Sequence, residues 1–488
     1  MRSFRQSRFS WSSIFLMGLA AFVFVGGCGS DDDDESPQEP SIPAVSRADV
    51  VVTNADIAFA GYSDALATAV ELQTAVDALV NDPTMATHED AKDAWRKARE
   101  AYQPTEVYRF RPGPIEDLTD AGTLVEGEGP EARINGWPLG EALVDYVAGG
   151  SPDGDPGDQA SVEAAGLTYP MNLISDTRID VSDEETLKTY VEFMDDRNVG
   201  TGYHAIEFLL WGQDLNGGET MWTTPRDHTA GQRPVSDYYQ NDNCTSGPAK
   251  HDDGTICTRR ATYLQTATEL LVDDLQAIVD AWDPDGSFYA DYIANPNASL
   301  ARILESMARM AFGELAGERM NIALLDNSQE DEHSCFSDNT HRDILLNVVG
   351  VQNQFLGEYD LAADALDEFT FDNNMITGRG HGVYDLLKAE GHGEIAEALK
   401  MAIDDAVTLA MVIDTKARDG MPFDQQIEDS SQHADISAVI RTLGQVVVQI
   451  EAAIEALKGI DIDSDDLLQD TCQEIDNRSG TADDCPEI

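Results

Sequence analysis

The chain has 488 residues, is 42% hydrophobic and carries a formal charge of −60 at pH 7. A chain of this length and apolar content can bury cores for roughly two or three domains. So acidic a composition leaves no basic patch to displace counterions from phosphates, which excludes nucleic acid as a partner and reads as a solvated surface.

Residues 1–27 read as a lipoprotein signal peptide. Arg2, Arg5 and Arg8 give a positive start, residues 9–25 are mostly apolar, and Val25-Gly26-Gly27-Cys28 has the form of a lipobox, with cleavage before Cys28 and acylation of its thiol. Ser10, Ser12 and Ser13 shorten the apolar core, which argues against a single membrane-spanning helix. Residues 28–45 follow as the acylated cysteine and a disordered acidic linker. Gly29, rather than Asp, after Cys28 favours the outer membrane, so the body is expected in the periplasm or at the cell surface, touching membrane through the lipid anchor only.

Helical periodicity then takes over, and residues 46–230 predict an N-terminal bundle. Residues 55–80 are Ala-rich and amphipathic. Residues 88–108 predict a second helix that Pro104 kinks near its end. Arg99, Tyr102 and Glu106 follow one another on related faces, with Glu106 a candidate carboxylate ligand. The competing reading is a surface acid near a helix C-terminus, where the dipole disfavours it. Residues 149–166, rich in Gly, Pro and Asp, read as a loop.

Gly200-Thr201-Gly202-Tyr203-His204-Ala205-Ile206-Glu207 opens an apolar run with an imidazole and a carboxylate on one helical face. Thr201 is the expected N-cap. His204 and Glu207 could grip one divalent or ferric ion. Alternatively His204 is a core histidine and Glu207 its hydrogen-bond partner. Neither His-Glu-x-x-His nor its inverted form is present.

Residues 231–259 predict a loop carrying Cys244 and Cys257, and the acidic tail 461–488 holds a similarly spaced pair, Cys472 and Cys485. Two local disulfides, Cys244–Cys257 and Cys472–Cys485, suit an oxidising compartment and leave Cys335 over. Residues 260–460 predict a C-terminal bundle, with helical patterns at 263–282, 301–325, 342–355, 395–413 and 436–457. Within it, Glu314 and Glu318, four apart, share a face beside Arg319, each following one of two glycines, Gly313 and Gly317. They are candidate ligands or a salt-bridged surface. The stretch 329–343 is dense in polar groups: Glu330 and His333 have Glu-x-x-His spacing, and Ser337 or Asp338 resembles a helix N-cap. No Gly-x-Ser-x-Gly elbow and no nucleotide-binding glycine loop is present.

The lipoprotein signal, the Gly-x-His-x-x-Glu motif at 202–207, the acidic motif at 330–341, Trp137-Pro138-Leu139 with Glu141, Asp145 and Tyr146, and the stretch 313–320 together resemble the imelysin family, closest to its iron-regulated protein A group. The resemblance spans about residues 46–460. It implies an all-α protein of two helical-bundle domains, with the His-x-x-Glu helix near their interface, and a link to iron supply with iron-uptake partner proteins. Carried over by position, His204 and Glu207 match the signature, and Arg99, Tyr102 and Glu106 resemble the helix facing it.

The resulting expectation is an exported, lipid-anchored, metal-binding protein linked to iron uptake. His204 and Glu207 are the ligands, with Glu106, Glu314 and Glu318 as further candidates and Arg99, Tyr102, Glu330 and His333 lining the site. Iron is favoured over zinc because hard oxygen ligands with one imidazole suit it better. Two alternatives stand beside it: a zinc-dependent metallopeptidase, and a non-catalytic surface interaction module.

Overall fold

A reciprocal cap starts the first helix, α1 (Arg47–Asn81). The Ser46 hydroxyl accepts from the Asp49 N–H at 3.3 Å, and the Asp49 carboxylate accepts from the Ser46 N–H at 2.8 Å. This cap begins α1 well ahead of the Ala-rich stretch that predicted it. The structure, a computed structural model, describes residues 45–109, 113–125, 127–147, 162–164, 167–169, 172–191, 198–214, 228–246, 249–250, 254–327, 331–364, 369–371 and 378–460. The signal peptide, Cys28 and most of its linker, most of the 149–166 loop, Glu330, the Cys472–Cys485 pair and the acidic tail lie outside the described residues.

Ala55, Ala58, Ala65 and Ala69 are buried along α1, and their small side chains let neighbouring helices approach closely. One neighbour is α2 (Met85–Tyr102), capped by Thr84, whose hydroxyl accepts from the Thr87 N–H at 3.2 Å. At Tyr102 the α-helix gives way to a tighter 3-10 helix, Gln103–Tyr108, with Pro104 in its first turn, so the kink predicted at Pro104 is a change of helix type. Next come α3 (Gly202–Trp211), which carries the His-x-x-Glu motif, and α4 (Thr255–Trp282), which packs on both α1 and α3.

The pattern at 301–325 is not one α-helix. An α-helical stretch, Pro296–Ala308, continues as a π-helix, Arg309–Asn321. Gly313 and Gly317 weaken the α preference here, and the wider turn brings Arg319 over Glu314, five residues earlier, at 3.6 Å. Beyond it lie α5 (Thr340–Leu356), α6 (Gly393–Arg418), the short α7 (Phe423–Glu428) and α8 (His433–Ala456).

α6 packs against α5 and α8, α8 against the π-helix, and α5 against the 3-10 helix after α2. At that last contact only a glycine fits: a Cβ on Gly350 would stand 2.5 Å from the Pro104 carbonyl oxygen. α8 is long and apolar enough to cross a membrane, yet Ile436, Val439, Leu443, Val447 and Ile450 are buried in the protein core. Strands among the described residues are three short antiparallel pairs. The all-α class predicted from periodicity is the class observed.

Candidate metal centre

The whole of α3 is buried, and its entry is specified by backbone sterics. Gly202 has φ of +81°, and a Cβ there would stand 2.5 Å from the carbonyl oxygens of both Arg133 and Ile134. Thr201 occupies the N-cap position but does not cap. Its hydroxyl donates to the Arg133 carbonyl at 3.2 Å, fastening α3 to the short helix Glu131–Asn135. Gly202→Ala is therefore expected to destabilise the protein by about 1–3 kcal/mol or more, through strain as well as contact. A urea unfolding midpoint equal to that of the native chain would contradict this account of the entry.

Helical spacing brings His204 and Glu207 together, both fully buried. His204 Nδ1 lies 3.0 Å from Glu207 Oε2. The other oxygen, Oε1, accepts from the Ser337 N–H at 2.9 Å and the Ser337 hydroxyl at 2.7 Å. Both carboxylate oxygens are thus engaged. Burial pushes the Glu207 carboxyl up to about 8, against the Ser337 hydrogen bonds and the Arg99 charge, which favour ionisation. Burial, then His333 and Arg99, push His204 well below its usual value, so the ring is neutral. His204 Nε2 is buried and has no hydrogen-bond partner among the described residues.

A second imidazole faces the first. The ring centroids of His204 and His333 are 4.6 Å apart in an edge-to-face arrangement, with Trp137 4.8 Å from His204 and 6.3 Å from His333. His333 Nδ1 meets Asp343 Oδ2 at 2.8 Å. Burial and the Arg319 charge keep this ring neutral too, so its Nδ1–H donates to Asp343. Asp343 also accepts from the Ser334 hydroxyl at 2.5 Å and from Gln103 Nε2, and lies 3.4 Å from Arg99. Each histidine therefore meets a buried carboxyl group through Nδ1, that of Glu207 ionising only at about 8.

Arg99, Tyr102 and Glu106 enter the same polar interior from α2 and the turn after it. Arg99 is fully buried, stacks 5.1 Å over the Tyr203 ring and donates to Asn135. Tyr102 packs against Tyr203 with ring centroids 4.9 Å apart. Glu106 is far from the surface acid that its sequence position allowed. It forms a buried pair with Arg319 and accepts from Asn135 and, at 2.7 Å, from Asn347. Burial pushes its carboxyl up, but the Arg319 and Arg99 charges and the Arg319 hydrogen bond outweigh this and hold it at about 2. Glu314 is partly exposed and pairs with Arg109 at 3.0 Å as well as with Arg319, and Glu318 is partly buried on the same π-helix. Among the described residues no three His, Cys, Asp or Glu side chains stand together as a metal-holding group.

Ser337, Asp343, Asn135 and the lining role of Trp137 escape sequence reasoning. Ser337 reads as a cap for α5, but α5 begins at Thr340, and the Ser337 hydroxyl turns to Glu207 instead. Beyond α3, Cys244 and Cys257 are disulfide-bonded. Next to that bond Arg233 and Arg260 share Asp145, at 2.7 Å and 2.6 Å, in a buried ion network. Cys335 is a buried thiol.

The sequence model of the imelysin family, Imelysin, matches residues 58–450. No curated protein matches the chain. Two of the solved structures that share its fold are these. One, from Parabacteroides distasonis ATCC 8503, is described as an iron-regulated protein A precursor; it is 15% identical, covers 87% of this chain and 97% of its own, and superposes with a TM-score of 0.53. The other is an imelysin-like protein from Psychrobacter arcticum 273-4, 14% identical, covering 85% of this chain and 97% of its own, with a TM-score of 0.50. Matched by the family over most of its length and sharing a helical fold with these two proteins, the chain belongs to the imelysin family.

Proposed function

We propose that this imelysin-family protein is exported and lipid-anchored through Cys28, and that it binds a metal ion, iron by preference, in the service of iron uptake. One observation carries the metal reading. His204 Nε2 is buried without a partner among the described residues, while His204 Nδ1 meets Glu207 and the neighbouring His333 meets Asp343 in the same way. Once ionised, which for Glu207 means above about 8, a carboxylate on one ring nitrogen fixes the tautomer and raises the basicity of the other, the usual outer-shell arrangement behind a metal-binding histidine. His204 and His333 are thus the residues that would hold the ion. Glu207, with both oxygens committed, orients His204 and does not ligate. Two protein donors leave the remaining coordination positions to water or an anion from outside the chain. A bound iron ion would supply redox and Lewis-acid chemistry at this buried spot.

With two imidazoles and no protein oxygen as donors, the oxygen-ligand reason for iron does not apply, and the preference for iron rests on the fold likeness to a protein described as an iron-regulated protein A precursor. A zinc peptidase needs a carboxylate poised to activate metal-bound water. Glu207 is tied to His204 and Ser337 and Glu106 to Arg319, which makes that alternative the weaker one.

Titration of the exported body with Fe(II), Fe(III) and Zn(II), followed by elemental analysis, tests the reading. The native protein is expected to hold iron stoichiometrically, and His204→Ala and His333→Ala to lose it, with circular dichroism showing that they remain folded. Absence of binding in the native protein would leave the paired histidines as structural hydrogen bonds.

A further inference from the structure

Residues 228–231 fasten the corner that carries Ser337. The Gly231 N–H donates to the Phe336 carbonyl at 2.8 Å, and the Ala230 N–H donates to the Asp338 carboxylate. The Arg233 N–H, just beyond, donates to the Trp211 carbonyl at the end of α3 at 2.7 Å. Gly231 lies so close to that helix end that a Cβ would stand 2.6 Å from the Trp211 carbonyl oxygen. The segment therefore stitches the end of α3 to the 3-10 turn Cys335–Ser337, whose last residue grips Glu207.

What holds this segment from the other side is one imidazole between two carboxylates. His228 Nδ1 contacts Asp424, and Nε2 lies 2.8 Å from Glu428 Oε2. Asp424 and Glu428 are four residues apart on α7 and project on one face, bracketing the ring. A neutral imidazole has a single N–H and can donate to only one of them, so the arrangement is satisfied by the imidazolium alone. Asp338, at φ of 58°, brings a third carboxyl against Asp424, and Arg96 of α2 is the other cation that acts on it.

We propose that His228 is a protonation-controlled latch: as an imidazolium it ties residues 228–231 to α7 and holds the Cys335–Ser337 corner down on Glu207, and its deprotonation frees that corner. Any bearing on metal entry rests on the metal reading above; the latch itself does not.

The sign follows from the groups in contact. Hydrogen bonding to Asp424, opposed by burial and aided by Glu428, raises His228 above its usual 6.5. Its stabilisation is full below that usual value and is lost as pH rises through the raised one. Burial and the Asp424 charge push Asp338 up to about 8, so it gains a repelling charge over the same alkaline range. Ionised Asp338 also accepts more strongly from the Ala230 N–H, so loss of the His228 imidazolium is the titration that loosens the corner as pH rises.

Hydrogen–deuterium exchange of the full chain, corrected for the intrinsic pH dependence of amide exchange, reads the latch directly in peptides covering 228–238 and 331–340. Protection there is expected to fall about tenfold between about pH 6 and about pH 9, while α1 and α4 keep theirs. His228→Gln should show the low value at both ends. Glu428→Gln, on a partly exposed side chain that folding tolerates, should move the fall to lower pH and carries the test if His228→Gln does not fold. Protection that stays flat in the native chain, or a His228→Gln profile that tracks it, overturns the latch even where iron is bound. The expected profile in a protein that binds no metal upholds the latch and removes the metal reading alone.

Discussion

Arg319→Ala is expected to cost about 3–5 kcal/mol of folding stability, because it strands the fully buried Glu106 carboxylate without its cation. Asn135 and Asn347 would still donate to Glu106, but hydrogen bonds from neutral amides do not replace a guanidinium. The double variant Arg319→Met, Glu106→Gln removes both charges and keeps one of the two amide contacts, since the Gln NH2 cannot accept where a second amide donates, and should recover part of the loss. The pH dependence separates charge from packing. In the native protein Glu106 is held at about 2 against an ordinary 4.5, so the pair stabilises the fold above 4.5 and its contribution is lost as pH falls through about 2. The gap between the native protein and Arg319→Ala should therefore be widest near neutral pH and narrow steadily in acid. Urea unfolding across that range would show it. A gap of constant size would mean that lost side-chain packing, not the stranded charge, is what the variant reports.

The helices and the first half of the centre were legible because both rest on local periodicity. Apolar spacing marked α1, α2, α4, α6 and α8, and the three-residue step from His204 to Glu207 required them to meet once the run was helical. Contacts between segments far apart in the chain were not legible. Nothing near Glu106 in sequence announces that its partner is Arg319, and the helical i+4 rule placed Glu314 and Glu318 together where a π-turn pairs Glu314 with Arg319. Ser337 carried a misleading local signal, since a serine just before a helix reads as a cap, and only the fold shows its hydroxyl turned to a carboxylate on another helix. His333 was picked out for its spacing to Glu330, whereas the contacts that define its place are with His204 and Asp343.

Glu207→Gln should weaken iron binding by about 10–100-fold without abolishing it, a smaller loss than that from removing either imidazole. The argument runs through proton positions. The Ser337 N–H and hydroxyl both donate to one oxygen of Glu207, so in the variant they select the amide oxygen for that place. The amide NH2 is then left facing His204 Nδ1, where the carboxylate oxygen stood at 3.0 Å. An NH2 group can only donate, so Nδ1 becomes an acceptor and the ring proton moves to Nε2, the nitrogen that the metal reading needs unprotonated. Iron must then displace that tautomer before it binds, which weakens the site but leaves both rings in place. The switch is visible without any metal above about pH 8, where Glu207 is ionised and takes the Nδ1 proton: there the nitrogen chemical shifts of the His204 ring in the metal-free protein should exchange their protonated and unprotonated assignments between native and variant. If Glu207 were itself a ligand, the variant would lose iron as completely as His204→Ala does. If the pair were only a structural hydrogen bond, the tautomer would change with no consequence for metal at all.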